Sequence, residues 1–398
     1  MRTSLLLLCA ALLMGCDANE PGPPAPRFNT GVVQAGNAFT FRMLGEVSRE
    51  AGTGNVFVSP VSASMALGML MNGADGTTRA AMASALGLDG MPVDSANAAY
   101  NALLDWLPKA DSKVRLTLAN AVFARQEFPV EPDFVALSRN VFGAEAQALD
   151  FRSPSALTTI NGWARTQTEG RIEKVLDRIA DNEVMFVLNA LYFKGAWRTR
   201  FDPSRTRPNT FQRPGGAVQA PTMFREGRVT AFSGDTFDAI DLPYGDSLFS
   251  MTVVLPRPGT SVDDVLASLT PARWDALVAG LAPLRFDMIG LPKLKLRATY
   301  QLKDPLTRLG MGVVFTDAAD FTGLNRKGGL FLTFVKQDTF VEINEEGTEA
   351  AAVTTGGVGV TSVGPTFLVN RPYLLFLRER TSGAVLFAGR ITDPTAAS

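Results

Sequence analysis

The segment VEINEEGTEAAAVTTGGVGVTSVGP spans Val341–Pro365. It opens as a strand, because Val341 and Ile343 alternate with Glu342 and Asn344 at a two-residue period. Then the pattern stops. From Ala350 to Gly364 there is no charged residue, no aromatic residue and little larger than valine. Composition alone describes a solvated linker. GGVGV is not a phosphate cradle, since neither a lysine nor a helix start follows it. The meaning of the segment rests on what flanks it.

The chain has 398 residues, 46% of them hydrophobic and 19% charged, as expected of a folded protein with a large core. The net charge of −1 gives no basis for a nucleic-acid surface. There are 0 histidines, which removes the commonest general base and the commonest zinc ligand. The 2 cysteines are Cys9 and Cys16, so the body holds neither a disulfide nor a thiolate nucleophile. No Ser–Lys pair sits in a convincing context. The expectation is a protein that is not an enzyme, with no metal and no cofactor.

The N-terminus MRTSLLLLCAALLMGC has Arg2, then an apolar run from Leu5 to Met14, then Gly15-Cys16. The run is too short for a stable membrane span and fits a secretory signal. LMGC also resembles the bacterial lipobox, in which the cysteine is lipidated and becomes the first mature residue. This implies a lipoprotein signal over residues 1–15 and a lipid on Cys16. DANEPGPPAPRFNTG follows, so residues 16–29 form a flexible tether. The mature body, residues 30–398, is then secreted across the inner membrane and held by its lipid. It faces the periplasm or lies at the cell surface, with the extracellular space also open. Asp17 resembles a signal for inner-membrane retention, a rule that does not transfer between all bacterial groups.

Within the body, periodicity predicts helices over Asn37–Arg49, Pro60–Met71, Thr77–Leu86, Ala96–Leu107, Pro132–Val141 and Ser155–Thr168. Long apolar strands are expected at Leu116–Ala124 and Val184–Phe193. From Thr210 onward hairpin-like strands dominate, punctuated by RPGG, PYGD and PRPG. Helical stretches at Val262–Leu269 and Ala272–Leu281 interrupt them. No internal repeat or second linker appears, which predicts one α+β domain.

Several segments resemble the serpin family. NVFVSPVSASMALGMLMNGADGTT (Asn55–Thr78), TEGRIEKVL (Thr168–Leu176) and VLNALYFKGAWRTRFDP (Val187–Pro203) match in order. So do DLPYGDSLFSMTVVLP (Asp241–Pro256), LPKLKLRATYQLKDPLTRLGM (Leu291–Met311) and LLFLRERTSGAVLFAGRITDP (Leu374–Pro394). VEINEEGTEAAA (Val341–Ala352) is close to the family consensus. The resemblance covers nearly the whole body. It implies three β-sheets, eight or nine helices and an exposed reactive loop at about residues 347–366.

It also implies a mechanism. A serine or cysteine protease attacks the loop and forms an acyl-enzyme. The cut loop then enters the main sheet as a new strand, carrying the protease with it and distorting its active site. The hinge would be Glu345, Glu346, Gly347, Thr348, Glu349, Ala350, Ala351 and Ala352. Its residue types suit insertion. Thr348, Ala350, Ala352 and Thr354 share one face of a strand and are small, as entry into a dense interior requires. Glu349 falls on the opposite face. The alternative is a non-inhibitory serpin that binds or chaperones, whose hinges often carry bulky, charged or proline residues. GTEAAAVT does not.

Two counts carried over from the family place the cut. Fourteen residues on from Gly347, and nine back from Asn370 in NRPY, both fall on Thr361. The expected scissile bond is Thr361–Ser362, with Val360–Thr361 as the alternative. The neighbouring Val358, Gly359, Val360 and Thr361 are small and uncharged, which suits the shallow apolar pockets of elastase-like or subtilisin-like enzymes. The resemblance further implies a gate of Ser59, Ser62 and Asn189. Gln337, in VKQDTF, stands where the family usually has histidine. Trp197 falls where insertion would begin. Lys293, Lys295 and Arg297 alternate along one strand and are expected to be a solvated face rather than a heparin site. A monomer is expected.

Overall fold

The computed structural model describes residues 28–348 and 364–396. The chain runs α1 (Thr30–Ala51), β1 (Val56–Val58), α2 (Pro60–Met71), α3 (Gly76–Leu86), α4 (Val93–Trp106), β2 (Val114–Arg125), α5 (Pro132–Phe142), β3 (Glu145–Leu149), α6 (Pro154–Gln167) and β4 (Met185–Ala196). Next come β5 (Arg207–Arg213), β6 (Gly216–Ser233), β7 (Phe237–Tyr244), β8 (Phe249–Pro256), α7 (Val262–Ser268), α8 (Pro271–Ala279), β9 (Ala282–Pro292) and β10 (Leu294–Gln301). The last elements are α9 (Lys303–Leu306), β11 (Lys336–Ile343), β12 (Gly347–Thr348), β13 (Thr366–Leu368), β14 (Tyr373–Glu379) and β15 (Val385–Ile391).

Local chemistry explains the helix ends. Asn29 caps α1 by accepting from the Gly31 amide, and Ser153 caps α6 by accepting from the Ser155 amide. Ser261 and Asp264 form a reciprocal capping box on α7. α2 is apolar all round, and every residue in it except Ala66 is buried. It is therefore a central helix rather than a surface one.

The strands form two hydrogen-bonded sheets. One has nine strands in the order β1-β15-β14-β8-β7-β6-β9-β13, with β5 on β6. Every residue of β8, β14 and β15 is buried, as expected of strands covered on both faces. β6 is long enough to serve two regions, pairing with β5 in its first part, with β7 at its end and with β9 from Thr222 to Ala231. The third sheet implied by the resemblance is thereby continuous with the second. The β6–β9 register shifts between Arg225 and Gly227, where β9 carries one residue more than β6.

The other sheet has six strands, ordered β10-β11-β12-β4-β2-β3. α2 and its neighbours cover one face within the main core. On the other face α6 packs Ala156, Ile160, Trp163 and Ala164 against Ala121, Phe123, Phe186 and Ala190 of β2 and β4. The sheet is thus held between two apolar layers.

The helical segment from Lys303 to Phe315 lies where periodicity predicts none. Pro305 and Gly312 interrupt the pattern, and Gly310 adopts φ 101°, so α9 passes through a π turn and a short 3₁₀ turn rather than one regular helix.

Candidate functional site

β11 and β4 are joined, among the described residues, through β12. β11 ends at Ile343, and Asn344–Gly347 turns the chain back. The Asn344 amide donates to the Gly347 carbonyl at 2.9 Å, and the Glu346 amide to the Asn344 side chain at 3.0 Å. Thr348 then stands opposite Ile343 on one side and Gly195 on the other, with Gly347 opposite Ala196. Gly347 has φ 152°, and a Cβ there would lie 2.0 Å from the Gly195 carbonyl oxygen and 2.7 Å from the Ala196 Cα. Only glycine fits so close to a neighbouring backbone.

Trp197 fastens this turn. Its amide donates to the Glu346 carbonyl at 2.7 Å, and its indole N–H to the Asn344 carbonyl at 2.9 Å. Its ring stacks on Tyr244 with centroids 4.3 Å apart. The Tyr244 hydroxyl in turn lies 2.8 Å from the Thr348 hydroxyl. Burial pushes the Tyr244 phenol far above its ordinary range, with the Thr348 hydrogen bond opposing. A neutral hydroxyl pair is the result.

Glu345 lies in the turn between β11 and β12 and is buried. Its carboxylate receives the Lys293 ammonium at 3.0 and 3.1 Å and the Thr206 hydroxyl at 2.8 Å. Burial pushes its pKa up. Its own backbone amide, Thr206 and Lys293 together outweigh that, and the group sits below its ordinary value. Lys295 similarly approaches Glu342 at 3.7 Å, so both lysines face carboxylates of β11 and the turn after it. Glu346 is partly buried, and its Oε2 has no hydrogen-bond partner among the described residues.

The structure brings Ser59, Ser62, Asn189 and Gln337 to the start of α2, in two separate linkages. The Ser59 amide donates to Gln337 Oε1 at 2.9 Å, and Gln337 Nε2 returns a bond to the Ser59 carbonyl at 2.7 Å. The Ser59 hydroxyl donates to the Leu386 carbonyl at 2.9 Å. Separately, the Ser62 hydroxyl donates to Asn189 Oδ1, and Asn189 Nδ2 donates to Asn120 Oδ1 at 2.7 Å. Asn120 Nδ2 ends the chain on the Phe142 carbonyl at 2.7 Å. Gln337 thus ties β11 to α2 while Asn189 ties β4 to the same helix. Asn120 was not among the expected residues, although a polar side chain inside the apolar run of β2 is a visible signal. Between these ties the described residues enclose a cavity of about 150 Å³, lined by β4, β11, α2 and the segment following α6.

The far end of the segment is also held. The Gly364 amide donates to Asp287 Oδ2 at 2.6 Å, and the Asp287 amide to the Pro365 carbonyl at 3.0 Å. β13 then pairs parallel to β9 from Thr366↔Met288. Glu349, Ala350, Ala351, Ala352, Val360, Thr361, Ser362 and Cys16 lie outside the described residues, as do the signal segment and most of the tether. Among the described residues no group of three or more Cys, Asp or Glu could hold a metal ion, and no helix is long and apolar enough to cross a membrane.

Fold and site together define a class: an α+β protein in which one segment is anchored in a six-stranded sheet at Thr348 and against a second sheet at Gly364. The sequence model of the family described as Serpin (serine protease inhibitor) matches residues 34–394, and the chain belongs to that family. Glia-derived nexin from Rattus norvegicus is 32% identical over 352 residues, covering 85% of this chain and 88% of that protein. Leukocyte elastase inhibitor from Sus scrofa is 31% identical over 377 residues, covering 90% and 98%. Human thyroxine-binding globulin, solved in complex with thyroxine, superimposes with a TM-score of 0.83 at 27% identity, covering 92% and 99%. Serpins are mostly protease inhibitors rather than catalysts, and this kinship supports protease inhibition here.

Proposed function

We propose that the chain is a suicide-substrate inhibitor of serine proteases with shallow apolar pockets, elastase-like or subtilisin-like, with cysteine proteases as a second target class. The observation that carries this reading is β12. Its two residues are already paired with β11 and β4, so insertion would extend an existing strand rather than nucleate one. Continuing the alternation from Thr348 would bring Ala350, Ala352 and Thr354 onto the same buried face.

In this scheme the protease serine attacks the Thr361 carbonyl and expels the Ser362 amine, leaving an ester. The freed strand then adds ladder bonds on both edges. Roughly a dozen residues at about 0.5–1.5 kcal/mol net each give on the order of 10 kcal/mol. The uncut form is therefore a kinetically trapped state. A misplacement of about 1 Å in the trapped protease slows deacylation on the order of 10²-fold.

The test is thermal unfolding before and after a single nick in the loop. Insertion predicts a rise of roughly 10 °C or more, from roughly 10 kcal/mol at about 1.3 °C per kcal/mol for a body of this length. An unchanged midpoint would favour the non-inhibitory binding protein instead. For location, the reading is lipid attachment at Cys16, with the body held at a membrane surface.

A further inference from the structure

The face of β6 next to the Gly364 anchor carries an arrangement that folding does not explain. Arg228 on β6 stands directly opposite Arg285 on β9. Like charges directly opposite across a ladder oppose strand pairing. Arg207, opposite Thr222, lies on the same side, with its guanidinium 4.0 Å above the Phe224 ring. Arg205 and Arg285 share Glu226 at 3.6 and 3.8 Å. The Arg285 side chain is 60% exposed, so such contacts contribute little to stability. Arg225 takes no part, since it points the other way onto Phe201. Four arginines thus share this face with Glu226, on a chain whose net charge is −1.

The position gives the charge a use. Arg285 is two residues from Asp287, which holds the Gly364 amide at 2.6 Å. Ser362 is two residues before Gly364, within about 7 Å of extended chain. A protease interface of roughly 800 Å² per partner is a disc about 16 Å in radius. A protease closing on the Thr361–Ser362 bond therefore covers this face with the primed side of its cleft, the side that holds residues after the cut.

We propose that Arg205, Arg207, Arg228 and Arg285 form a docking surface that selects proteases carrying carboxylates on the primed-side rim of the active-site cleft. The proposal rests on the inhibitory reading above. Complementary charge acts mainly on the association rate, and it weakens as salt screens it.

The probes are subtilisin and a subtilisin variant with glutamates introduced on the primed-side rim. Association rates would be measured with the full-length inhibitor and with R228E/R285E, at low and high salt. The wild type should react about tenfold faster with the acid-rimmed protease at low ionic strength, converging towards equality near 0.5 M salt. R228E/R285E should reverse the order while leaving the final yield of covalent complex unchanged. R228Q/R285Q, which removes two of the four charges and leaves Arg205 and Arg207, should shrink the difference without reversing it. The same order of rates in wild type and R228E/R285E would overturn the docking surface while leaving the inhibitory reading intact. Absence of any covalent complex, with either protease, would overturn both.

Discussion

The Tyr244 hydroxyl lies 2.8 Å from the Thr348 hydroxyl, with both side chains buried. These residues are 104 positions apart in sequence. Tyr244 also stacks on Trp197, whose amide and indole hold the turn before Thr348. β12 is thus tied by hydrogen bonds and an aromatic stack to the nine-stranded sheet.

Thr348→Arg places a charge where a small hydroxyl is buried. A guanidinium that enters this site loses its hydration and finds the neutral Tyr244 hydroxyl rather than a carboxylate. We expect the variant to be cleaved as a substrate and to form covalent complex at a yield reduced at least about tenfold, since roughly 1.4 kcal/mol on the insertion barrier already gives that factor. An unchanged yield on a gel-shift titration would count against insertion beginning here.

Glu345 predicts an acid-dependent hinge. Its folded pKa is held below the ordinary value of 4.5, so its contribution is fully present above that value and is lost as the pH falls through the folded value. Because Lys293 is 41% exposed, solvent screening reduces the contribution at neutral pH to about 1 kcal/mol. Glu345→Gln should lower the unfolding midpoint at pH 7, and the gap from wild type should narrow progressively as the pH falls below 4.5. A gap that stays constant down to pH 3 would contradict the assignment.

Stable membrane attachment needs more than one acyl chain, which lipoprotein processing at Cys16 would supply. Cys16→Ser should therefore move the protein from the membrane fraction to the soluble fraction of its host. Retention of the variant in the membrane would point to a different anchor.

Local signals carried much of the fold. The apolar run of α2 and the long strands β2 and β4 follow from neighbours within a few residues. Boundaries moved by one or two residues in most elements, and α1 begins at Thr30 rather than Asn37 because Asn29 supplies a cap. The segment from Lys303 to Phe315 escaped because Pro305, Gly310 and Gly312 break its period. Gly347 could be singled out by its place before a run of small residues, but its 2.0 Å constraint against Gly195 could not. The same holds for Glu345 with Thr206, Asn189 with Asn120 and Gly364 with Asp287, separated by 139, 69 and 77 positions. Each depends on strand register between distant elements, which no local period encodes.

The most direct measurement is the product of the protease reaction. Residues 30–398 mixed with subtilisin, boiled in detergent and separated by mass, should yield a band at the summed mass of inhibitor and protease, less the C-terminal peptide. Mass spectrometry of that peptide should give Ser362 as its first residue, while Thr361 would select the neighbouring bond. Free turnover of the protease, with a nicked chain and no band that survives boiling, would contradict the account.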